Sequence, residues 1–131
     1  MARARGTAEV TSWNEDTYEE LDGGTKLVRA TVEQKLAGDI EGNGAVQWLM
    51  SYRPDGTAYF VGLQRVTGSI GDRDGSFVLE TVGEFDGKVA AGSWTVVDGS
   101  ATKELVGLYG SGSFEAPMGK EPTYDIEYEL S

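Results

Sequence analysis

The chain has no cysteine and no histidine. Their absence removes disulfides, thiolate nucleophiles, the usual structural zinc sites and every mechanism built on an imidazole. Proline is scarce as well, at three residues against nineteen glycines. No uninterrupted apolar run approaches the ~20 residues that cross a bilayer as a helix. The N-terminal Met1-Ala2-Arg3-Ala4-Arg5-Gly6 passes into Thr7-Ala8-Glu9-Val10 without the apolar stretch of a signal peptide. Positive charge is the last deficit: 11 Lys and Arg stand against 22 Asp and Glu, a formal net charge of −11. Such a field repels phosphate backbones and anionic head groups. These absences lead us to expect a cytoplasmic protein with no nucleic-acid and no membrane partner. Its 131 residues suit one domain spanning 1–131.

What the chain does have is turn chemistry between strand-length segments. Asp22-Gly23-Gly24, Pro54-Asp55-Gly56, Asp72-Arg73-Asp74-Gly75, Asp86-Gly87 and Asp98-Gly99 each join a turn-closing side chain to a glycine that accepts φ > 0. The segments between them predict strands at roughly 6–14, 26–39, 42–53, 57–70, 76–85, 88–97, 109–116 and 123–130. Period-two alternation supports several of them. Tyr124, Ile126, Tyr128 and Leu130 alternate with Thr123, Asp125, Glu127 and Glu129, which gives one apolar and one acidic face. Val46, Trp48, Met50 and Tyr52 form a similar face, and so do Val28, Ala30 and Val32. In Tyr59 to Val66 both faces are substantially apolar, as for a strand covered on two sides. Ser100–Val106 is the one plausible helical piece, one or two turns at most, and reads as a connector between the sixth and seventh strands. Eight short-linked strands favour an all-β, eight-stranded antiparallel up-and-down barrel, because closure removes exposed sheet edges. A sandwich is the alternative. A barrel of this size can hold one small ligand.

The runs Gly38-Asp39-Ile40-Glu41-Gly42, Tyr52-Arg53-Pro54-Asp55-Gly56-Thr57-Ala58, Phe60-Val61-Gly62-Leu63-Gln64-Arg65-Val66, Gly75-Ser76-Phe77-Val78-Leu79 and Phe85-Asp86-Gly87 resemble an uncharacterised bacterial family, the domain-of-unknown-function 3224 family. Trp94-Thr95-Val96-Val97 and Glu104-Leu105-Val106-Gly107-Leu108 continue the likeness over nearly the whole chain. Glu80-Thr81 stands where the family often continues Gln-His. The resemblance implies a small barrel similar to allene oxide cyclase, associating as a dimer or higher oligomer. It implies no particular activity.

Two sets of residues are candidates for function. Glu80 shares its strand face with Val78 and Val82. If that face is the lumen, its carboxyl is a candidate general acid or base; if it is the exterior, Glu80 is solvated. Arg65, on the neighbouring strand, is its natural partner, either as a substrate clamp or as a structural cross-strand pair. Trp48, Tyr52, Tyr59, Trp94, Tyr124 and Tyr128 form an aromatic set suited to line a pocket for a flat or hydrophobic molecule. Trp13 is a candidate cap for the barrel mouth. The acidic clusters lack metal-ligand spacing: Asp72-Arg73-Asp74-Gly75 begins like a calcium loop but has no closing glutamate. No phosphate-binding glycine motif lies between a strand and a helix. The expectation is therefore no metal and no cofactor. Three readings compete: a barrel binding a small apolar or aromatic molecule, a cofactor-free cyclase or isomerase, and a structural homo-oligomer.

Overall fold

The structure, a computed structural model, describes residues 1–130. Eight antiparallel strands pair in chain order and the last returns to the first, closing a barrel. They are β1 (Ala2–Glu20), β2 (Lys26–Gly38), β3 (Ile40–Tyr52), β4 (Ala58–Ile70), β5 (Arg73–Phe85), β6 (Val89–Val96), β7 (Leu108–Pro117) and β8 (Thr123–Leu130). The alternation read from the sequence is the inside–outside alternation of this barrel. Val28, Ala30, Val32, Gln34 and Leu36 of β2 are buried, while Arg29, Thr31, Glu33 and Lys35 between them are exposed. Among the described residues, no helix is long and apolar enough to cross a membrane.

The two ends of the barrel differ. At one end the chain turns tightly between β2 and β3 and between β4 and β5, and the stretch from β6 to β7 folds across the floor. That stretch contains the only helical piece among the described residues, a 3-10 turn at Lys103–Leu105, shorter than the helix expected over 100–106. It is laced to the first half of β5, which β6 leaves unpaired. Thr102 N–H donates to the Ser76 carbonyl at 2.8 Å, and Thr102 Oγ1 accepts from Ser76 N–H at 3.0 Å. Ser100 Oγ accepts from Val78 N–H at 3.0 Å. Leu105 is thereby driven fully inside, into the apolar cluster with Phe77, Ile40 and Leu108. Gly75 permits the approach, since a Cβ there would run into the Thr102 carbonyl oxygen.

The barrel closes where Ala2–Thr7 of β1 pairs with β8. Arg3 grips Asp125 with two bonds, at 2.7 and 2.8 Å, and Arg5 adds a third at 3.2 Å. The hydrogen bond from Arg3 holds the Asp125 carboxyl below its ordinary value, with the neighbouring positive charges adding to the effect. The stability this pair contributes is therefore fully present above an ordinary aspartate value of about 4 and is lost as pH falls through the lower folded value. The stability difference between wild type and Asp125→Asn should accordingly shrink below about pH 4. A difference that stays constant from pH 7 to pH 2 would show the seam does not depend on this charge.

β1 is much longer than the 6–14 expected. Its start has little apolar patterning because it is recruited by β8. Its second half, Asn14–Glu20, has none, because β1 runs on past the start of β8, which it leaves at Thr7, and there pairs with β2 alone among the described residues. Backbone bonding, not burial, makes it a strand.

Candidate functional site: the lumen and its mouth

Two register breaks in β1 determine what faces the opening. Val10 lies opposite Gln34, but Ser12 lies opposite Glu33, so Thr11 is an extra, bulged residue. A bulge of one residue exchanges the two faces of everything beyond it. Up to Val10 the even-numbered residues point inward, as buried Ala4 and Ala8 show; after it Trp13 stands opposite Val32, and Glu15 opposite Ala30, both of which are inward residues.

Above the packed floor lies a cavity of about 240 Å³, open at the end where β3 turns into β4 and β5 into β6. Its wall is almost wholly apolar: Trp13, Trp48, Tyr52, Phe60, Phe85, Trp94 and Phe114, with Met50, Ala8, Ala90 and Ala116 between the rings. Glycines make room for the largest side chains. Trp48 faces Gly62, where a Cβ would fall 2.6 Å from the indole Cδ1, and Phe60 faces Gly83, where a Cβ would fall 2.7 Å from the ring Cζ. The rings form a continuous ladder from mouth to floor. Centroids are 5.6 Å apart for Trp13–Trp48, 5.3 Å for Trp48–Phe60, 6.1 Å for Phe60–Phe114, 5.7 Å for Phe114–Trp94 and 5.6 Å for Trp94–Tyr124. These are the separations at which aromatic pairs attract.

Polar groups are few and specific. Gln34 lines the cavity, and its Oε1 accepts from Gln64 Nε2 at 2.7 Å. The indole nitrogens of Trp48 and Trp94, Gln64 Oε1 and Thr81 Oγ1 are buried without a hydrogen-bond partner among the described residues. At the mouth, Glu15 Oε1 accepts from both Tyr52 Oη at 2.8 Å and Trp13 Nε1 at 3.0 Å. Burial first, and then the Glu15 carboxylate, push the Tyr52 phenol up to about 12, so it remains a neutral donor at physiological pH. Lys26 Nζ sits 5.2 Å from the centroid of the Tyr52 ring.

The residues proposed from the sequence are sorted by this geometry. Trp48, Tyr52 and Trp94 line the cavity. Tyr124 is buried below it, and its hydroxyl is committed to the turn between β2 and β3. It accepts from Ile40 N–H at 2.9 Å and stands 3.0 Å from the Ala37 carbonyl. Burial pushes that phenol up as well. Tyr59 is 42 % exposed on the outer face, and Tyr128 lies half-buried toward the floor end beside Arg3 and Asp39. Glu80 and Arg65 do not reach the lumen. The inner face of β5 belongs to Phe77, Leu79 and Thr81, so Val78, Glu80 and Val82 face outward. Arg65 is likewise exposed, opposite Ala45 on one side and Val78 on the other. The two form no ion pair among the described residues; the ion pairs there join Arg3 and Arg5 to Asp125, and Arg53 to Glu84.

Phe60, Phe85, Phe114, Gln34 and Glu15 were not singled out by the sequence. Phe60 was within reach, since pairing the face of Trp48 and Met50 across the Pro54-Asp55-Gly56 turn puts it inside. Glu15 carried no signal, lying in an acidic stretch whose facing depends on the bulge.

Fold and cavity together define a closed eight-stranded barrel with an aromatic lumen that opens at one end. The family described as "Protein of unknown function (DUF3224)" matches residues 4–128, and the chain belongs to it. A crystal structure of a protein of unknown function from the DUF3224 family of Shewanella oneidensis MR-1 is similar along the whole length. It shows a TM-score of 0.86 and 26 % identity over 100 % of this chain and 98 % of that one. No curated protein matches the chain.

Proposed function

We propose that the barrel binds a small apolar or aromatic molecule in its lumen. The observation that carries this reading is the aromatic cavity of about 240 Å³ open at one end. It is larger than the ~150 Å³ apolar cavity that takes up benzene and just below the ~300 Å³ at which pockets for drug-sized ligands begin. That size suits a molecule of one or two rings or a short branched chain. Of the partnerless polar groups, the indole nitrogens of Trp48 and Trp94 belong to walls of the cavity, and each such group left dry costs about 1–3 kcal/mol.

Native mass spectrometry of the protein purified from its own host tests this, with release and identification of whatever travels with it. A hydrophobic molecule is expected at fixed stoichiometry, and the Ala90→Phe variant, which fills the mouth side of the cavity, is expected to emerge empty while still folded. An empty wild-type protein across growth conditions, or equal loading of the filled variant, would reject the lumen as the site. The same spectrum reads the assembly state. Leu49, Tyr59 and Leu63 are exposed together on the outer faces of β3 and β4, and this stripe supports association with a second copy of the chain.

A cyclase or isomerase reading draws on the implied likeness to allene oxide cyclase. Within it, Tyr52, which lines the cavity, and Glu15, which accepts from it at the mouth, are the proton-carrying groups nearest the lumen, in place of Glu80 and Arg65.

A further inference from the structure

We propose that the ligand is a cation: a hydrophobic amine or ammonium whose apolar part occupies the lumen and whose positive nitrogen rests at Glu15 between the Trp13 and Tyr52 rings. This rests on the lumen-binding reading and names its ligand class.

Glu15 is the starting point. Both donors to its Oε1 are neutral, the indole of Trp13 and the phenol of Tyr52. No lysine or arginine forms an ion pair with it among the described residues. A carboxylate so placed is oriented but not neutralised. The side chains that orient it are themselves walls of the cavity, so the negative charge and the apolar site are one construction.

The walls are suited to the same charge. The faces of tryptophan and tyrosine attract cations through the ring quadrupole, and no lysine or arginine lines the cavity. The rim already holds one such contact, with Lys26 Nζ lying over the Tyr52 ring rather than bonding to a carboxylate.

The charge around the opening points the same way. The hairpin of β1 and β2 carries Glu15, Asp16, Glu19, Glu20 and Asp22 against Lys26 and Arg29, the latter opposite Asp16. The other turns at this end are closer to balance, with Arg53, Lys88 and Lys120 against Asp55, Glu84, Asp86 and Glu121, and Arg53 lies 3.8 Å from Glu84. A carboxylate ligand would meet like charge at the rim. An ammonium would gain the field, the ring faces and Glu15, and because Glu15 is exposed its head group keeps part of its hydration.

The test uses the full chain and three probes of similar shape: phenyltrimethylammonium, its uncharged isostere tert-butylbenzene, and benzenesulfonate. Affinities are read by calorimetry and by quenching of the lumen tryptophans. The ammonium is expected to bind on the order of tenfold more tightly than tert-butylbenzene, with benzenesulfonate weakest. Glu15→Gln keeps an acceptor oxygen for Trp13 and Tyr52, and should reduce the ammonium's advantage severalfold while leaving the affinity for tert-butylbenzene unchanged. Raising ionic strength from about 0.01 to 0.5 M should narrow the preference in the wild type by screening the charge. If tert-butylbenzene binds as well as or better than the ammonium, or the preference survives Glu15→Gln, the cation assignment is wrong and the lumen site stands. If none of the three binds, the lumen reading itself falls, and this inference with it.

Discussion

Replacing Trp94 with alanine is expected to lower the unfolding free energy by about 3–5 kcal/mol. That is a large part of the ~5–15 kcal/mol by which a typical domain is stable. Trp94 is 2 % exposed and stacks on both Phe114 and Tyr124. Truncation would leave two rings facing a void. It would also loosen Tyr124, whose hydroxyl holds the turn between β2 and β3. The fall in Tm should be roughly 10–20 °C. Urea unfolding at unchanged m-value would measure the effect, with Tyr18→Ala, exposed on β1 and outside the stripe of Leu49, Tyr59 and Leu63, as the control, expected within about 0.5 kcal/mol of wild type. A loss below ~1 kcal/mol for Trp94→Ala would mean the neighbours collapse into the gap and the ladder is not the spine of the core.

Leu105→Ala carries the second large effect, about 2–5 kcal/mol. One apolar side chain here anchors the whole connector between β6 and β7. Leu105 is fully buried at the floor, although it sits in a three-residue 3-10 turn that has no side-chain cap. The bonds from the connector to Ser76 and Val78 of β5 are at best half-buried, so they do not hold it without that anchor. Hydrogen exchange should therefore quicken first at the Ser76, Val78 and Thr102 amides, ahead of those in β2 and β3. Uniform acceleration across all strands would show instead that the floor unfolds only with the barrel.

Much of this architecture was legible in the chain. Alternation in β8, β3 and β2 follows from the two-residue repeat of a strand with one face in water, and Asp-Gly and Pro-Asp-Gly turns supply the reversals. Trp48, Tyr52 and Trp94 were found for that reason: each lies on a face whose neighbours two residues away are apolar or small. Glu80 was open to two readings because Val78 and Val82 give its face an apolar look. The opposite face, with Phe77 and Leu79, packs better, and Thr81 could be buried on it opposite Gly62 and Trp94. Tyr124 has the same pattern as a lumen residue, and only the nearby turn between β2 and β3 shows why its hydroxyl is occupied.

The sequence by itself determined a barrel-forming set of eight strands, most of their turns, and an aromatic stock large enough to line a cavity, since these depend on periodicity and on residues a few positions apart. The reversal into β5 falls at Gly71-Asp72, and Arg73-Asp74-Gly75, expected in that turn, are paired strand residues. The tertiary structure decided which faces turn inward and what guards the opening. Closure of β1 on β8, the docking of Leu105 under the floor, and the bulge at Thr11 that carries Trp13 and Glu15 to the mouth all depend on which residue of a distant strand lies opposite. A slip of one residue in that pairing would exchange inside for outside without altering the local pattern.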